Sequence, residues 1–213
     1  MKDKRTQAER SAATREALVS AARALFGARG YADVGTAEVV QAAGVTRGAL
    51  YHHFADKLDL FAGVFESVEE ETTARIVAAV SAAGATDPIT AMQLGTAAFL
   101  DVCTDPEMAR IMLLEAPAVL GTQRWSDISY EHNMGLVQAL ITQGIEVGRI
   151  PAQPVAPLAH VLMGALREAA LYLATAPDTT TARAEVGAAM SRLIDGLAQE
   201  TQLFGIAESL RSL

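Results

Sequence analysis

The chain has 213 residues, of which 51% are hydrophobic and 5% are aromatic. This length allows one large domain or two smaller ones, and an apolar content made mostly of Ala, Leu and Val favours an all-α protein over a sheet protein. The net charge of −8 argues against a polyanionic partner for the chain as a whole.

The charge is distributed unevenly along the chain. Residues 1–60 contain nine Lys and Arg against seven Asp and Glu, a net charge of +2, whereas the remaining residues contain eight against 18, a net charge of −10. This asymmetry favours a small nucleic-acid-facing module attached to an acidic body.

Secretion, membrane insertion and metal binding are not expected. The single cysteine, Cys103, excludes an internal disulfide and a cysteine-based zinc site, and it suits a reducing compartment. The charged N-terminus lacks the apolar stretch of a signal peptide. The most apolar long stretch is interrupted by His160, Arg167 and Glu168. We therefore expect a cytoplasmic protein with no membrane partner, no metal and no cofactor.

The first predicted elements are a polar arm over residues 1–13 and a helix over residues 14–28, which Gly30 ends. The arm is interpreted as a solvated tail, with contact to DNA as the alternative. Its basic residues are Lys2, Lys4, Arg5 and Arg10.

A helix-turn-helix is predicted next. Thr36 is the expected N-cap of a second helix, 37–43, and Gly44 ends it in the position that favours a left-handed residue. Thr46 then caps a third helix. The connection between the two helices is as short as a helix-turn-helix allows, and it contains one Gly.

Residues 46–54 have the pattern of a recognition helix. Leu50 and Phe54 are four residues apart and should both face inward, which leaves small, basic and aromatic residues on the outer surface. Gly48 is informative because a glycine inside a helix costs about 1 kcal/mol relative to alanine. Close approach of the backbone to a DNA groove would explain that cost.

Capping and breaking residues predict the remaining helices. Asp56 caps a fourth helix that runs toward Val80, and a break follows near residues 84–88. Further helices are expected at about 88–104, 106–115, 121–148, 154–175 and 179–203. The prediction is about nine helices: a three-helix DNA-binding domain over 14–60, with the helix-turn-helix at about 37–56, then a larger helical domain over 61–213.

The stretch from Leu25 to Phe61 resembles the DNA-binding domain of the TetR (tetracycline repressor) family. The resemblance lies in Gly30-Tyr31, in Thr36, in the run 42–54, and in Lys57 followed by Leu60-Phe61. Such agreement over about 50 residues is more specific than a lone short motif. It implies a homodimer that binds a palindromic double-stranded DNA operator, represses transcription and is released by a small-molecule effector. It also implies that the helical domain over 61–213 is the effector-binding and dimerisation domain.

The resemblance also implies roles for individual residues. Arg47 would contact guanine bases in the major groove, with Gly48 and Ala49 near the bases. The other candidates would contact the DNA backbone, which positions a protein without reading sequence. The candidate DNA-binding residues are Thr36, Thr46, Arg47, Gly48, Ala49, Tyr51, His52 and Lys57, and Arg15 is available for a further phosphate contact.

Candidate effector contacts are Met, aromatic, Cys and acidic residues on successive body helices. Each is more often a core residue, because Met and aromatic side chains fill gaps between helices. A buried carboxylate would need a partner, which an effector could supply. The candidates are Phe99, Cys103, Met112, Glu115, Trp125, Tyr130, Met134, Met163 and Glu168.

The last two long helices are rich in small residues, which permit close helix packing. In the family these helices pair with their symmetry mates, and packing within one chain is the alternative. A dimer is favoured independently, because one short recognition helix reads too few base pairs. The small residues are Gly164, Ala165, Ala169, Ala170, Gly187, Ala188, Ala189 and Gly196.

Other function classes stay open. A helical enzyme has little support, because no Ser/His/Asp spacing, Gly-rich phosphate loop or cluster of metal ligands is present. A DNA-binding regulator could instead have no effector or be controlled by a partner protein. Activation is also possible, since contact with DNA does not fix the sign of regulation.

Overall fold

A computed structural model of the chain describes residues 6–198, and every regular element in that range is helical. The all-α prediction and the estimate of about nine helices are therefore confirmed. The α-helices are α1 (Gln7–Arg29), α2 (Thr36–Ala43), α3 (Arg47–His53), α4 (Lys57–Ala82), α5 (Pro88–Val102), α6 (Pro106–Ala109), α7 (Ala116–Glu146), α8 (Val155–Thr175) and α9 (Thr179–Leu197). Helix α7 is kinked at Gly121, which has a non-helical φ of 76° and lies where the sequence predicted the start of the helix 121–148.

Helix α1 begins earlier than the sequence predicted. Thr6 is its N-cap: its hydroxyl accepts from the backbone N–H of Glu9 at 3.2 Å, and the Glu9 carboxylate accepts from the backbone N–H of Thr6 at 2.6 Å. This capping box satisfies two free helix donors. The polar arm predicted over 1–13 is therefore helical from Gln7, and residues 1–5, with Lys2, Lys4 and Arg5, lie outside the described range.

The residues that begin or end α2, α3 and α4 lie close to their predicted positions. Gly44 has a φ of 65° and closes α2 in the left-handed conformation. The Thr46 hydroxyl accepts from the backbone N–H of Ala49 at 3.2 Å, and the Asp56 carboxylate accepts from that of Asp59 at 2.8 Å. Thr36 differs by one position: it is the first residue of α2, and Gly35 is the N-cap.

Residues 110–115 form a π-helical segment between α6 and α7, where the sequence predicted one α-helix over 106–115. The backbone N–H of Ala116 donates to the carbonyl of Ile111, five residues earlier. Pro117 accounts for the wide turn, because it has no N–H and its ring would clash with the carbonyl of Leu113 in an α-helix. The periodicity of the apolar residues gave no sign of this change.

The described chain divides into two compact units. Unit 1 comprises residues up to Glu70 together with 106–128, and unit 2 comprises 71–105 with the residues from Ser129 onward. Helices α4 and α7 each contribute to both. The functional domain boundary at residue 60 stays a prediction, since a compact unit and a functional domain are defined differently.

The core of unit 1 joins the first four helices. Phe26 on α1, Val39 on α2, Leu50 on α3 and Phe61 on α4 are all completely buried. The rings of Phe26 and Phe61 meet edge to face with centroids 5.4 Å apart, and the Tyr31 ring lies 5.3 Å from that of Phe61. Burial of these large rings is the main source of stability in this unit.

Polar contacts attach α1 to the segment that follows α5. The Arg23 Nε donates to the Glu107 carboxylate at 2.7 Å, and Arg110 donates to the backbone carbonyl of Ala28 at 3.2 Å. The first of these pairs is only partly exposed to solvent. Segment 106–128 therefore belongs structurally with the N-terminal helices, although it lies far along the chain.

Unit 2 is built around α5, the second half of α7, α8 and α9. Its buried core includes Met92, Ile141, Ile150 and Ile194. Arg183 on α9 links to α5 by donating to the Asp101 carboxylate and to the Ala97 carbonyl, both at 2.8 Å. The part of the predicted helix 179–203 beyond residue 198 lies outside the described residues.

No helix within residues 6–198 has the length and apolar character needed to cross a membrane.

Candidate nucleic-acid interface

Helix α3 presents one buried stripe and one exposed face. Leu50 is completely buried and Phe54 is 3% exposed, so the predicted inward stripe is confirmed. Four of the candidate DNA-binding residues on α3 are exposed, and Ala49 is half-buried. The exposed ones are Arg47, Gly48, Tyr51 and His52. Thr46, which caps the helix, is also exposed.

Arg47, Tyr51 and Thr36 form a polar group at the start of α3. The Arg47 guanidinium carbon lies 5.5 Å from the centroid of the Tyr51 ring. A hydrogen bond with the Thr36 side chain lowers the pKa of Tyr51, and a hydrogen bond with Arg47 lowers it further. Tyr51 therefore restricts where the Arg47 side chain can lie, and it connects α3 to the start of α2.

Lys57 lies over the ring of Tyr31, with its Nζ 4.1 Å from the ring centroid. Burial lowers the pKa of Lys57, while Asp33 and Glu115 nearby act in the opposite direction. Burial also raises the pKa of Tyr31, with a further contribution from Asp56. The sequence did not single out Tyr31 as a functional residue, although it belongs to the Gly30-Tyr31 pair in the family pattern.

His53 and Arg15 are turned toward the chain itself. Burial, and then the neighbouring His52 and Arg15, lower the pKa of His53, so its neutral form is favoured. The Arg15 guanidinium lies 5.4 Å from the centroid of the Phe54 ring and 3.6 Å from the Glu66 carboxylate. Arg15 is exposed but already paired with Glu66, which makes it a weaker phosphate donor than Arg47.

Arg47 and Lys57 are basic side chains of unit 1 that form no ion pair with another described residue. Arg29 and Arg124 are exposed but form ion pairs with Glu38 and Asp59. Within residues 6–198, neither Arg47 nor Lys57 lies within 4.0 Å of a carboxylate oxygen. Both cations are therefore available to an external anion.

Gly48 has no internal reason to be glycine. A Cβ built there would meet only the Thr46 hydroxyl, at 3.9 Å, and the backbone of Gly48 is not in the left-handed region. The fold alone would therefore accept alanine, which is the better helix former by about 1 kcal/mol. A requirement for glycine must come from something outside the chain.

Gly48→Ala is expected to stabilise the protein by about 0.5–1 kcal/mol and at the same time to weaken DNA binding. The opposite signs arise because the added methyl group fits the folded chain but occupies space between α3 and a groove. Urea unfolding and a DNA titration on the same preparation measure both effects. Gly135→Ala on α7 is the matched control, because a Cβ there meets nothing within 4 Å; it should raise the stability by a similar amount and leave DNA binding unchanged. A Gly48→Ala variant that binds DNA with unchanged affinity would contradict close backbone approach.

The candidate effector residues are divided between the two units. Met112, Glu115 and Trp125 belong to unit 1, and the others belong to unit 2. In unit 2, Tyr130, Met134 and Met163 pack in or against the hydrophobic core cluster. Cys103 is also buried, whereas Glu168 is exposed. The assignment of these residues to an effector stays a prediction.

One cleft in unit 2 lies between α5 and α9 and has a volume of about 320 Å³. Its walls include Gln93, Arg183 and Ser191, and it contains none of the predicted effector residues. The Gln93 amide donates to the Ser191 hydroxyl at 3.2 Å and to the Asp195 carboxylate at 2.7 Å. The polar groups of this cleft are thus largely engaged with one another.

Within the described residues, no group of three or more His, Cys, Asp or Glu side chains is arranged to bind a metal ion.

Two family models match the chain. The model of bacterial regulatory proteins of the tetR family covers residues 18–64, which include all eight candidate DNA-binding residues. The model of the tetracyclin repressor-like C-terminal domain covers residues 89–197. The two matches thus account for both the helix-turn-helix and most of the body.

Individual relatives agree with this assignment. The crystal structure of a TetR-family transcriptional regulator from Pectobacterium atrosepticum is 35% identical and has a TM-score of 0.77, with 92% of this chain and 99% of that chain covered. The HTH-type transcriptional regulator CymR of Pseudomonas putida is 41% identical over 100 residues, 46% of this chain and 49% of CymR. The HTH-type transcriptional repressor BepR of Brucella suis is 49% identical over 61 residues, 29% of each chain.

The extent of these matches differs. The aligned part of this chain spans about half the length of CymR and under a third of BepR, whereas it spans nearly all of the Pectobacterium regulator. The chain therefore belongs to the TetR family of bacterial transcriptional regulators.

Proposed function

We propose that the protein is a repressor that binds a palindromic DNA operator as a homodimer and leaves it when a small molecule binds. The observation that carries the proposal is the exposed face of α3, where Arg47 has no carboxylate partner among residues 6–198 and Gly48 has no internal role. A basic side chain beside an open stretch of helix backbone suits a helix that enters the major groove.

In the proposed complex, Arg47 reads guanine, and Gly48 and Ala49 lie against neighbouring bases. Thr36, Tyr51, His52 and Lys57 contact the DNA backbone, and Thr46 caps the recognition helix nearby. Tyr51 has a second role here, because its contacts with Arg47 and Thr36 limit the positions available to the base-reading side chain.

The dimer is proposed to form through α8 and α9. Large apolar side chains are exposed on both helices, with Val161 at 67%, Tyr172 at 56% and Leu193 at 55%. Ala188, Ala189 and Gly196 are exposed beside them on α9. Exposed apolar residues next to small ones favour a second helix pair packing closely on this face. Ala170, in contrast, is completely buried within its own chain.

Release by a small molecule is proposed to depend on α4. This helix contributes residues 57–70 to unit 1 and 71–82 to unit 2, so it is continuous through both. A ligand that binds one conformation better than another shifts the equilibrium only by its difference in affinity. The predicted effector residues are the candidates for that ligand contact.

Repression is favoured over activation because BepR, which is 49% identical over 61 residues, is a transcriptional repressor. A dimer bound over a promoter blocks transcription without further contacts. Control by a partner protein in place of an effector is the main alternative, and no observation in the described residues favours an enzyme.

The proposal is tested by selecting bound duplexes from a random DNA pool with the full chain. The expected product is a pair of inverted half-sites whose centres are separated by about one helical turn of DNA or a multiple of it. Each pair of half-sites should be bound by an even number of chains. Val161→Glu should lower the molecular mass of the free protein to that of one chain and abolish selection of paired half-sites. Selection of single half-sites by the unaltered protein would contradict the dimer, and recovery of no sequence at all would contradict the function.

The matched control for Val161→Glu is Val77→Glu. Val77 is 44% exposed on α4, so the change in charge and side chain is the same at a site outside α8 and α9. This variant should keep both the dimer mass and the paired half-sites.

A further inference from the structure

The carboxylate of Glu115 lies close to the residue pair that supports Lys57. Gly30 is buried with a φ of 86°, and a Cβ at that position would lie 2.5 Å from Glu115 Oε1. The next residue is Tyr31, whose ring carries the Lys57 ammonium at 4.1 Å. Because residue 30 is a glycine, the Glu115 carboxylate can lie against the backbone next to Tyr31, the residue that supports Lys57.

Glu115 is the last residue of the π-helical segment, so the wide turn at 110–115 determines where its carboxylate lies. It is partly buried, and within residues 6–198 its carboxylate has no ion-pair partner within 4.0 Å. Its negative charge acts to raise the pKa of Lys57. Asp33, which is exposed in the connection between α1 and α2, acts on Lys57 more strongly than Glu115, but it lies outside the π-helical segment.

A fixed negative charge near Lys57 has two consequences for an incoming phosphate. It stabilises the ammonium, and it repels the phosphate that would bind there. The repulsion is reduced by solvent but is not removed, because Glu115 is held in place against Gly30 instead of moving freely in water.

We propose that Glu115 is a positioning residue that sets the strength of the DNA-backbone contact at Lys57. The π-helical segment holds the carboxylate against Gly30, where it weakens that contact. Segment 106–128 thereby lowers the affinity of the helix-turn-helix for all DNA sequences alike. This inference rests on the proposed function, since it requires that Lys57 bind phosphate.

The test is Glu115→Gln in the full chain, titrated with a random-sequence duplex at several salt concentrations. Affinity is expected to rise about twofold to fivefold for each helix-turn-helix at low salt, because a partly exposed charge contributes up to about that factor. The gain should shrink as salt screens the charges. Asp127→Asn removes the same charge from an exposed position on α7 in unit 1, and it should change the affinity by less than about 1.5-fold.

A second background separates an effect through Lys57 from a general charge effect. In a Lys57→Gln protein, Glu115→Gln should no longer change the affinity. An equal gain in both backgrounds overturns the inference, as does weaker binding by a normally folded Glu115→Gln variant. A chain that binds DNA, needs Lys57 and gains nothing from Glu115→Gln overturns this inference alone. A chain that binds no duplex overturns the proposed function as well.

Discussion

Arg47→Ala is expected to lower the affinity for the selected operator by about 1–3 kcal/mol for each of the two heads of the proposed dimer. The expected loss arises because the proposed bidentate contact with a guanine disappears, while the cap at Thr46 and the buried stripe of Leu50 and Phe54 remain. Preference for one base in each half-site should relax at the same time. Titration of the operator and of single-base variants measures both changes.

The matched control for Arg47 is Arg75→Ala. Arg75 pairs with Glu71 one turn away on α4, so its replacement removes the same charge from a surface outside the recognition helix. Its effect on operator affinity should stay below about 0.5 kcal/mol. If Arg47→Ala weakened operator and random DNA equally, Arg47 would be a backbone contact and the base reader would have to be sought elsewhere on α3.

Phe61→Ala is expected to destabilise the protein by about 3–5 kcal/mol, since it removes a completely buried ring and leaves a cavity. The ring contacts of Phe61 with Phe26 and Tyr31 are lost together. A loss of this size is a large part of the stability of a typical domain. Urea unfolding followed by circular dichroism measures it.

Phe61→Leu separates the loss of volume from the loss of the ring. Leucine refills most of the space, so the cost should fall to about 1.5 kcal/mol or less. Because Tyr31 packs on Phe61 and carries Lys57, DNA binding should weaken in both variants under folding conditions. A Phe61→Ala protein with nearly unchanged stability would mean that the aromatic cluster is not the core of unit 1.

The features that the sequence predicted well depend on residues close together in the chain. The caps at Thr46 and Asp56, the left-handed Gly44 and the inward stripe of Leu50 and Phe54 each involve neighbours within a few positions. The repeat of such local signals over about 50 residues also carried the family resemblance. The exposed face of α3 then followed from helix geometry.

The features that the sequence did not reveal depend on contacts between distant residues or on small changes in helix register. Tyr31 supports Lys57 across 26 positions, and Glu115 reaches Gly30 across 85. The π-helical segment lies just before Pro117. A proline in a sequence predicts the end of a helix, but it does not predict that the preceding turn widens. Effector contacts pose the same difficulty, because a cavity depends on how several helices pack together.

The composition of unit 1 bears on the engineering of hybrid regulators. A graft of residues 1–60 onto the body of another protein would leave behind Glu107, Met108 and Arg110, which bind the Arg23 side chain and the end of α1. The transplanted helix-turn-helix domain would then expose the part of α1 that these residues cover in the natural chain. A graft that also carries segment 106–128 keeps these contacts, so exchange of unit 2 in this protein calls for three joints, after residues 70, 105 and 128, and not one.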